Sequence, residues 1–426
     1  MTTDRIIYQS ESLYTSKLNP ASGTVIQGDT EIKEINRVQD MSYNLEVSRT
    51  DINEFGQLAA LSREVTEPPT VGLDFSYYVT NGEQDERLGL FVNKQKAFPV
   101  SSTDTSVKPL TANLVAAGTE NVDELNYYII TVPEGDDVHH PTNKVGVANN
   151  SVIGIGNGFI TSYSITGSVG ELATANVSVE GSNILFKSDL SGNVDNPSID
   201  LNSTTGAKLN TSVNFTAVSS GTGDIKDNTG AEVFAIRPGD ITLDFDAHNL
   251  FSNGLSQGDL QTGGARLPGA GSALGSGNTS LHIQSFTLDL PISRTGLNRL
   301  GNHYSFARKV DFPVNMTLSV SALATDITDG SLDALICNAE EKRDIAIKLK
   351  TRCGDSEALT YVMRNAILDT QSFSSSIGDN KTVDLTFSCQ IGGANDLVNG
   401  IFAFSEPLNQ GAQYGSGQSS VITPTP

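Results

Sequence analysis

The sequence predicts a mainly β chain built from two tandem copies of one β-barrel or sandwich domain, each with a short flanking helix. Three observations lead there. Several short runs alternate strictly between apolar and polar residues, the composition favours turns over packed helices, and one block of sequence occurs twice. At 426 residues the chain is long enough for two or three ordinary domains and a real core. Aromatic residues make up 7% of it, tryptophan is absent and there are 40 glycines, a composition that suits many strands joined by turns.

The alternation identifies strands directly. Met41, Tyr43, Leu45 and Val47 interleave with Ser42, Asn44, Glu46 and Ser48, and a period of two marks a half-buried strand. Phe286, Leu288, Leu290 and Ile292 repeat the pattern, as do Val71, Leu73, Phe75 and Tyr77 beside Met316, Leu318, Val320 and Ala322. Val177 and Val179 match Leu385 and Phe387 in the same way.

The repeat sets the organisation. Val38 to Gly56 reads VQDMSYNLEVSRTDINEFG and Ile283 to Gly301 reads IQSFTLDLPISRTGLNRLG, aligned without a gap at an offset of 245 (283 less 38). Phe159 to Glu180 aligns with Ile367 to Ser388 at an offset of 208 (378 less 170). The first copy therefore carries some 37 extra residues (245 less 208), expected between Lys94 and Leu125 as a surface loop or hairpin. Such a loop would decorate an outer surface, and deletion of Val107 to Asn121 would be tolerated. Domains are expected at 1–220 and 221–400, the second preceded by a Gly- and Ser-rich stretch at 254–278, with an exposed tail over 401–426. Weak similarity of Val233–Phe245 to Arg5–Tyr14 places the boundary near Gly221. Helical spacing of apolar residues predicts one helix per copy, at Glu83–Leu90 and within Ser331–Arg343.

Between the first two strands of each copy lies a matched loop, Ser48–Gly56 and Ser293–Gly301, whose glycine would supply the positive φ of a turn. Arg49, Asn53, Phe55 and Gly56, with Arg294, Asn298, Leu300 and Gly301, are the candidate site residues. They either hydrogen-bond within their own loops or touch a neighbouring molecule.

Charge and cysteine usage narrow the function. A net charge of -22 repels phosphate backbones, which disfavours tight nucleic-acid binding but suits a wall that nucleic acid must pass without sticking. Cys337, Cys353 and Cys389 form no CxxC pair and no disulfide framework, so free thiols are expected. Neither a leader nor a membrane span is recognisable, which leads to an expectation of folding in a cytoplasm.

Fragments that evoke catalysis fail on context. Gly254–Gly258 matches a nucleophile-elbow string without its strand and helix, and Gly154, Gly156 and Gly158 are better read as a turn before a strand than as a dinucleotide fingerprint. His139 and His140 beside Asp136 and Asp137, and Asp244, Asp246 and His248, lack metal-ligand spacing. No enzyme activity, cofactor or metal is expected.

The residues Arg37–Tyr43, Arg49–Asn53 and Phe55–Gln57, followed by Pro68–Asn81 and Gly158–Asn183, together resemble the tail tube (major tail) proteins of long-tailed bacteriophages. The resemblance covers about half of the chain, mostly its strands, and occurs twice. It implies tail-tube-like β-barrels that form rings, and rings that stack into a tube through which the genome travels during ejection. A subunit with two barrels would close a ring with three copies, a homotrimer imitating a hexamer. By the same resemblance the partners are the chain itself, a tape-measure protein and terminator or baseplate proteins. DNA would cross the lumen without specific binding, no membrane would be entered, and the protein would reside in the virion tail after assembly in the host cytoplasm. Another virion protein, for head decoration or adsorption, and a carbohydrate-binding β-protein are the alternatives, the latter disfavoured by the absence of tryptophan.

Overall fold

Two strands of 18 residues, Ser151–Ser168 and Glu357–Ser374, organise the computed structural model. The structure describes residues 10–17, 25–27, 32–94, 107–115, 124–134, 138, 150–188, 193–201, 203–209, 211–215, 235–244, 281–324, 342–350, 357–375 and 380–405. In chain order the first strands are β1 (Glu11–Lys17), β2 (Val25–Gln27), β3 (Ile32–Ile35), β4 (Val38–Glu46), β5 (Arg49–Ile52), β6 (Ser62–Val65) and β7 (Thr70–Tyr78). Helix α1 (Glu83–Arg87), β8 (Val92–Asn93) and helix α2 (Ala112–Val115) follow. Then come β9 (Leu125–Thr131), β10 (Ser151–Ser168), β11 (Thr174–Gly181), β12 (Asn183–Lys187), β13 (Asn193–Asp195) and β14 (Ser212–Asn214). The remainder is β15 (Ile241–Asp244), β16 (Leu281–Pro291), β17 (Arg294–Leu297), β18 (Ala307–Val310), β19 (Asn315–Ala324), β20 (Arg343–Lys350), β21 (Glu357–Ser374), β22 (Thr382–Gln390) and β23 (Gly400–Phe404).

Hydrogen bonding links 16 of these strands. The C-terminal halves of β10 and β21 belong to an antiparallel run ordered β21-β22-β19-β16-β10-β11-β7-β4. Their N-terminal halves belong to two shorter groups. β10 there lies between β9 and β12, with β1 and β3 beyond β9. β21 lies between β20 and β23, with β15 beyond β20 and β8 parallel to β23.

The same pairing scheme therefore occurs in both halves of the chain, down to its irregularities. Bulges interrupt β4 against β7 between Val38 and Asp40 and β16 against β19 between Ile283 and Ser285, again 245 apart. They interrupt β10 between Ile160 and Ser162 and β21 between Leu368 and Thr370, 208 apart. Each long strand also bends at an asparagine with positive φ, Asn157 (54°) and Asn365 (53°), a conformation that asparagine tolerates better than most residues. The Asn365 amide N–H donates to Asp344 Oδ1 at 3.0 Å, and that of Asn157 donates to Asn126 Oδ1 at 3.4 Å.

One continuous core draws side chains from all three groups of strands, including Leu73, Tyr163, Leu288, Leu318, Ile347 and Leu385. Burying each such aliphatic side chain contributes about 1.5–3 kcal/mol, which is why the alternating strands lie with their apolar sides together. A second cluster, with Tyr14, Tyr128, Ile130 and Phe215, covers the other side of β9. Both faces of β9 are thereby apolar, and its sequence LNYYIIT departs from alternation accordingly.

Several expectations need correction. Val107, Leu110, Ala112 and Leu114 are buried, and Val107 packs with Val362, Phe402 and Phe404 of the second half, so residues 107–115 are not a surface loop. The Leu110 amide N–H also donates to the Ile401 carbonyl at 2.7 Å. Apolar anchors in a Thr- and Asn-rich stretch were outweighed by the polar residues around them. Residues 401–404 are not part of an exposed tail, because Gly400–Phe404 is a buried strand paired with β21. Gly154, Gly156 and Gly158 lie inside β10 instead of in a turn. A Cβ on Gly156 would stand 2.3 Å from the Pro197 carbonyl oxygen, so close packing explains that glycine. The first expected helix is present as the five-residue α1. Of the second helix, expected within Ser331–Arg343, residues 331–341 lie outside the described residues and Arg343 begins β20; the Gly/Ser stretch 254–278, the boundary near Gly221, His139, His140 and 406–426 also lie outside them.

Candidate functional site

Matched strands with unmatched burial mark the surface of interest. β16 presents Phe286, Leu288 and Leu290 to the core, where Leu288 is 1% exposed. Its counterpart β4 has the same pattern, yet Tyr43 is 43% and Leu45 55% exposed. Topology supplies the reason. β16 lies between β19 and β10, whereas β4 has β7 as its one strand partner among the described residues. A strand paired on one side, with an uncovered apolar side, is a template for association.

The hairpins after these strands differ in the same sense. In β17–β18, the Arg294 Nε–H donates to the Ile160 carbonyl at 3.3 Å and the guanidinium lies 5.0 Å from the Phe159 ring centre. Arg308 pairs with Glu180 at 2.7 Å, and the Asn302 side chain donates to the Leu201 carbonyl at 2.9 Å. All three bonds join the second half to the first. In β5–β6, Arg63 pairs with Asp51 of its own hairpin at 2.6 Å, while Phe55 and Leu58 at the tip are fully exposed.

The eight candidate residues of the sequence fall accordingly. Gly56 and Gly301 end the turns at φ of 95° and 82°. Arg49 and Asn53 are exposed, Phe55 and Leu300 stand entirely clear of the surface, and Asn298 accepts a hydrogen bond from Ser305 Oγ at 2.7 Å within its own hairpin. Arg294 bridges the two halves of the chain through its bond to Ile160 and its stacking over Phe159.

The eight-strand run has a second side that carries no apolar stripe. Successive strands align Asp40, Ser76, Asn176, Ser164, Asp289, Thr317 and Ser388 in one row. Alternate residues of these strands add Glu46, Asp74, Glu180 and Asp384, and no lysine or arginine stands at the described positions of this side. One of these carboxylates, Glu180, is neutralised by Arg308 of the β17–β18 hairpin, and the remaining ones on a polar sheet create a field that repels polyanions.

Inside the core, sequence reasoning missed a polar knot. Asp85 of α1 accepts hydrogen bonds from the hydroxyls of Tyr77 (2.5 Å), Tyr163 (2.8 Å) and Tyr361 (2.6 Å), and the last two hydroxyls lie 3.2 Å apart. Burial raises the Asp85 pKa, opposed by the three phenol donors, and the same burial raises all three tyrosines. The cluster ties β7 and β10 of the first half to β21 of the second. An aspartate in a short charged segment gives no sequence signal of burial. Asn157 and Asn365 were also missed, although the 208-residue offset places one on the other.

Among the described residues no group of three or more His, Cys, Asp or Glu side chains is arranged to hold a metal ion. No described helix is long and apolar enough to cross a membrane. No protein-family model matches the chain, and no curated protein matches it. Among solved structures it is similar to a chain of the virion of a native gene transfer agent particle, at 10% identity and a TM-score of 0.18, over 36% of this chain and 93% of that one. A superposition that loose decides neither fold nor role.

Proposed function

We propose that this chain is a structural, non-catalytic subunit of a phage tail tube, made of two copies of one barrel-type unit. The observation that carries the reading is the recurrence of one strand-pairing scheme, bulges and asparagine bends included, around an eight-strand run that is apolar on one side and polar, with more carboxylates than cations, on the other. A sheet of that kind, repeated around an axis, lines a channel that DNA can traverse without adhering. Heterologous contacts that close by rotation give rings, and two units per chain let three chains supply six. On this reading the protein resides in a virion tail assembled in the host cytoplasm. Its partners are further copies of itself, a tape-measure protein and terminator or baseplate proteins. The loops bearing Arg49, Asn53, Phe55 and Gly56, and Arg294, Asn298, Leu300 and Gly301, contribute to contacts within or between rings.

Electron microscopy of the purified chain tests this. Hollow stacks with three chains per ring are expected. Six chains per ring would refute the duplicated-unit reading, and isolated rings or capsid-bound copies would point to a head-decoration or adsorption role.

A further inference from the structure

We infer that Ile153, Ile184 and Phe186 form a docking surface for residues 325–341 of a second copy of this chain, the stretch that follows β19 as residues 79–93 follow β7. The inference rests on the premise of the tube reading that the chain assembles with itself. It assigns a contact away from the eight-strand run.

Two matched strand pairs differ in what covers them. β12 pairs with the N-terminal half of β10 as β23 pairs with that of β21. Their registers agree. Ile153 faces Phe186 and Ile155 faces Ile184 in the first pair, and Tyr361 faces Ala403 and Met363 faces Ile401 in the second. The offsets are constant, 208 for the long strands (361 less 153) and 217 for their partners (403 less 186). Burial does not agree. Tyr361, Ile401 and Ala403 are buried, whereas Phe186 is 64% exposed and Ile153 and Ile184 are half-buried.

The cover over the second pair comes from the stretch after β7. Leu88, Leu90 and Val92 join the core there, Val92 faces Ala403 across the parallel β8–β23 pair, and the Ser405 amide N–H donates to the Asn93 carbonyl at 3.0 Å. β12, in contrast, has β10 as its one strand partner among the described residues. An exposed phenylalanine between half-buried isoleucines is the kind of surface that apolar side chains cover.

The sequence holds a matching cover. β19 is the counterpart of β7, and residues 325–341, which lie outside the described residues, carry Ile327, Leu332, Leu335 and Ile336. Gly330 and Asp333 there repeat the spacing of Gly82 and Asp85. Strand order puts the target outside the chain. From β21 to β7 the run counts six steps in the direction of β4. Six steps from β10 in that direction pass beyond β4, so the strand that stands to β10 as β7 stands to β21 belongs to another molecule. A heterologous contact of this kind joins copies head to tail. Charge agrees as well. Lys187 is exposed beside Phe186, and residues 325–341 include Asp326, Asp329 and Asp333 and no lysine or arginine.

Photo-crosslinking tests the surface. With p-benzoylphenylalanine in place of Phe186, irradiation of the assembled protein should join two chains, and the crosslinked peptide should map to residues 325–341. Crosslinks within one chain, to residues 88–110 of a second copy or to another protein would overturn the inference, as would tubes without a crosslink. In each of these cases the tube reading stands. Crosslinks to residues 325–341 in particles that never form hollow stacks would support the surface and overturn the tube reading. Phe186→Asp should leave the urea midpoint of the unassembled chain unchanged and weaken association about tenfold or more in sedimentation. A lowered midpoint would show that Phe186 is covered within its own chain, and that result, or unchanged association, would overturn the inference.

Discussion

Replacing Asp85 by alanine should destabilise the whole molecule, because its carboxylate is the common acceptor for tyrosines from both halves. Three phenol hydroxyls lose a charged acceptor at 2.5, 2.8 and 2.6 Å, and a bond of that kind contributes about 1.5–3 kcal/mol. Two effects reduce the total. The hydroxyls of Tyr163 and Tyr361 keep each other at 3.2 Å, and the cost of burying a carboxylate disappears with it. A net loss of about 3–4 kcal/mol is expected for Asp85→Ala, against about 1–1.5 kcal/mol for Tyr361→Phe, which leaves two donors in place. Urea denaturation monitored by circular dichroism, with hydrogen exchange in β7, β10 and β21, measures both. pH adds a signature. Because the folded-state pKa is raised above 3.8, the folded protein holds this proton more tightly than the unfolded chain. Its contribution is complete below the unfolded pKa and is lost as pH rises through the folded one. Asp85→Asn should remove that slope. An Asp85→Ala variant no less stable than Tyr361→Phe would refute the view that one carboxylate joins the halves.

Leu288→Ala should cost about 2–5 kcal/mol in the unassembled chain and Leu45→Ala under about 0.5 kcal/mol, with the Leu45 effect emerging as weakened association in sedimentation. Equal losses in the monomer would show that β4 is covered. Gly156→Ala should cost more than Gly56→Ala, since a Cβ meets the Pro197 backbone at the first position and open space at the second, leaving there about 1 kcal/mol of strain from the positive φ. Thermal melts should rank them so, and the reverse order would discredit the packing of β10 against Pro197. Burial pushes the Cys389 thiol up to about 12, so this residue should resist maleimide at pH 8 until urea unfolds the chain. Rapid labelling of the folded protein, mapped to Cys389 by mass spectrometry, would contradict its placement.

Local pattern determined much on its own. Alternation in Met41–Val47 and Phe286–Ile292 identifies two strands, and the repeated Ser-Arg-Thr triplet with its downstream glycine identifies the hairpins that follow them, because strand period and turn chemistry are written in neighbouring residues. Partner choice is not local. Leu45 and Leu290 carry the same message in sequence, yet one is exposed and the other lies in the core, since burial depends on whether another strand reaches that edge. The same holds for Asp85, whose three donors come from positions 77, 163 and 361. It holds too for Val107, which packs with Val362, Phe402 and Phe404, and for Leu110, whose amide N–H donates to the Ile401 carbonyl, all far along the chain. Periodicity decides which side of a strand can be buried, and tertiary structure decides which strands obtain a partner to bury it.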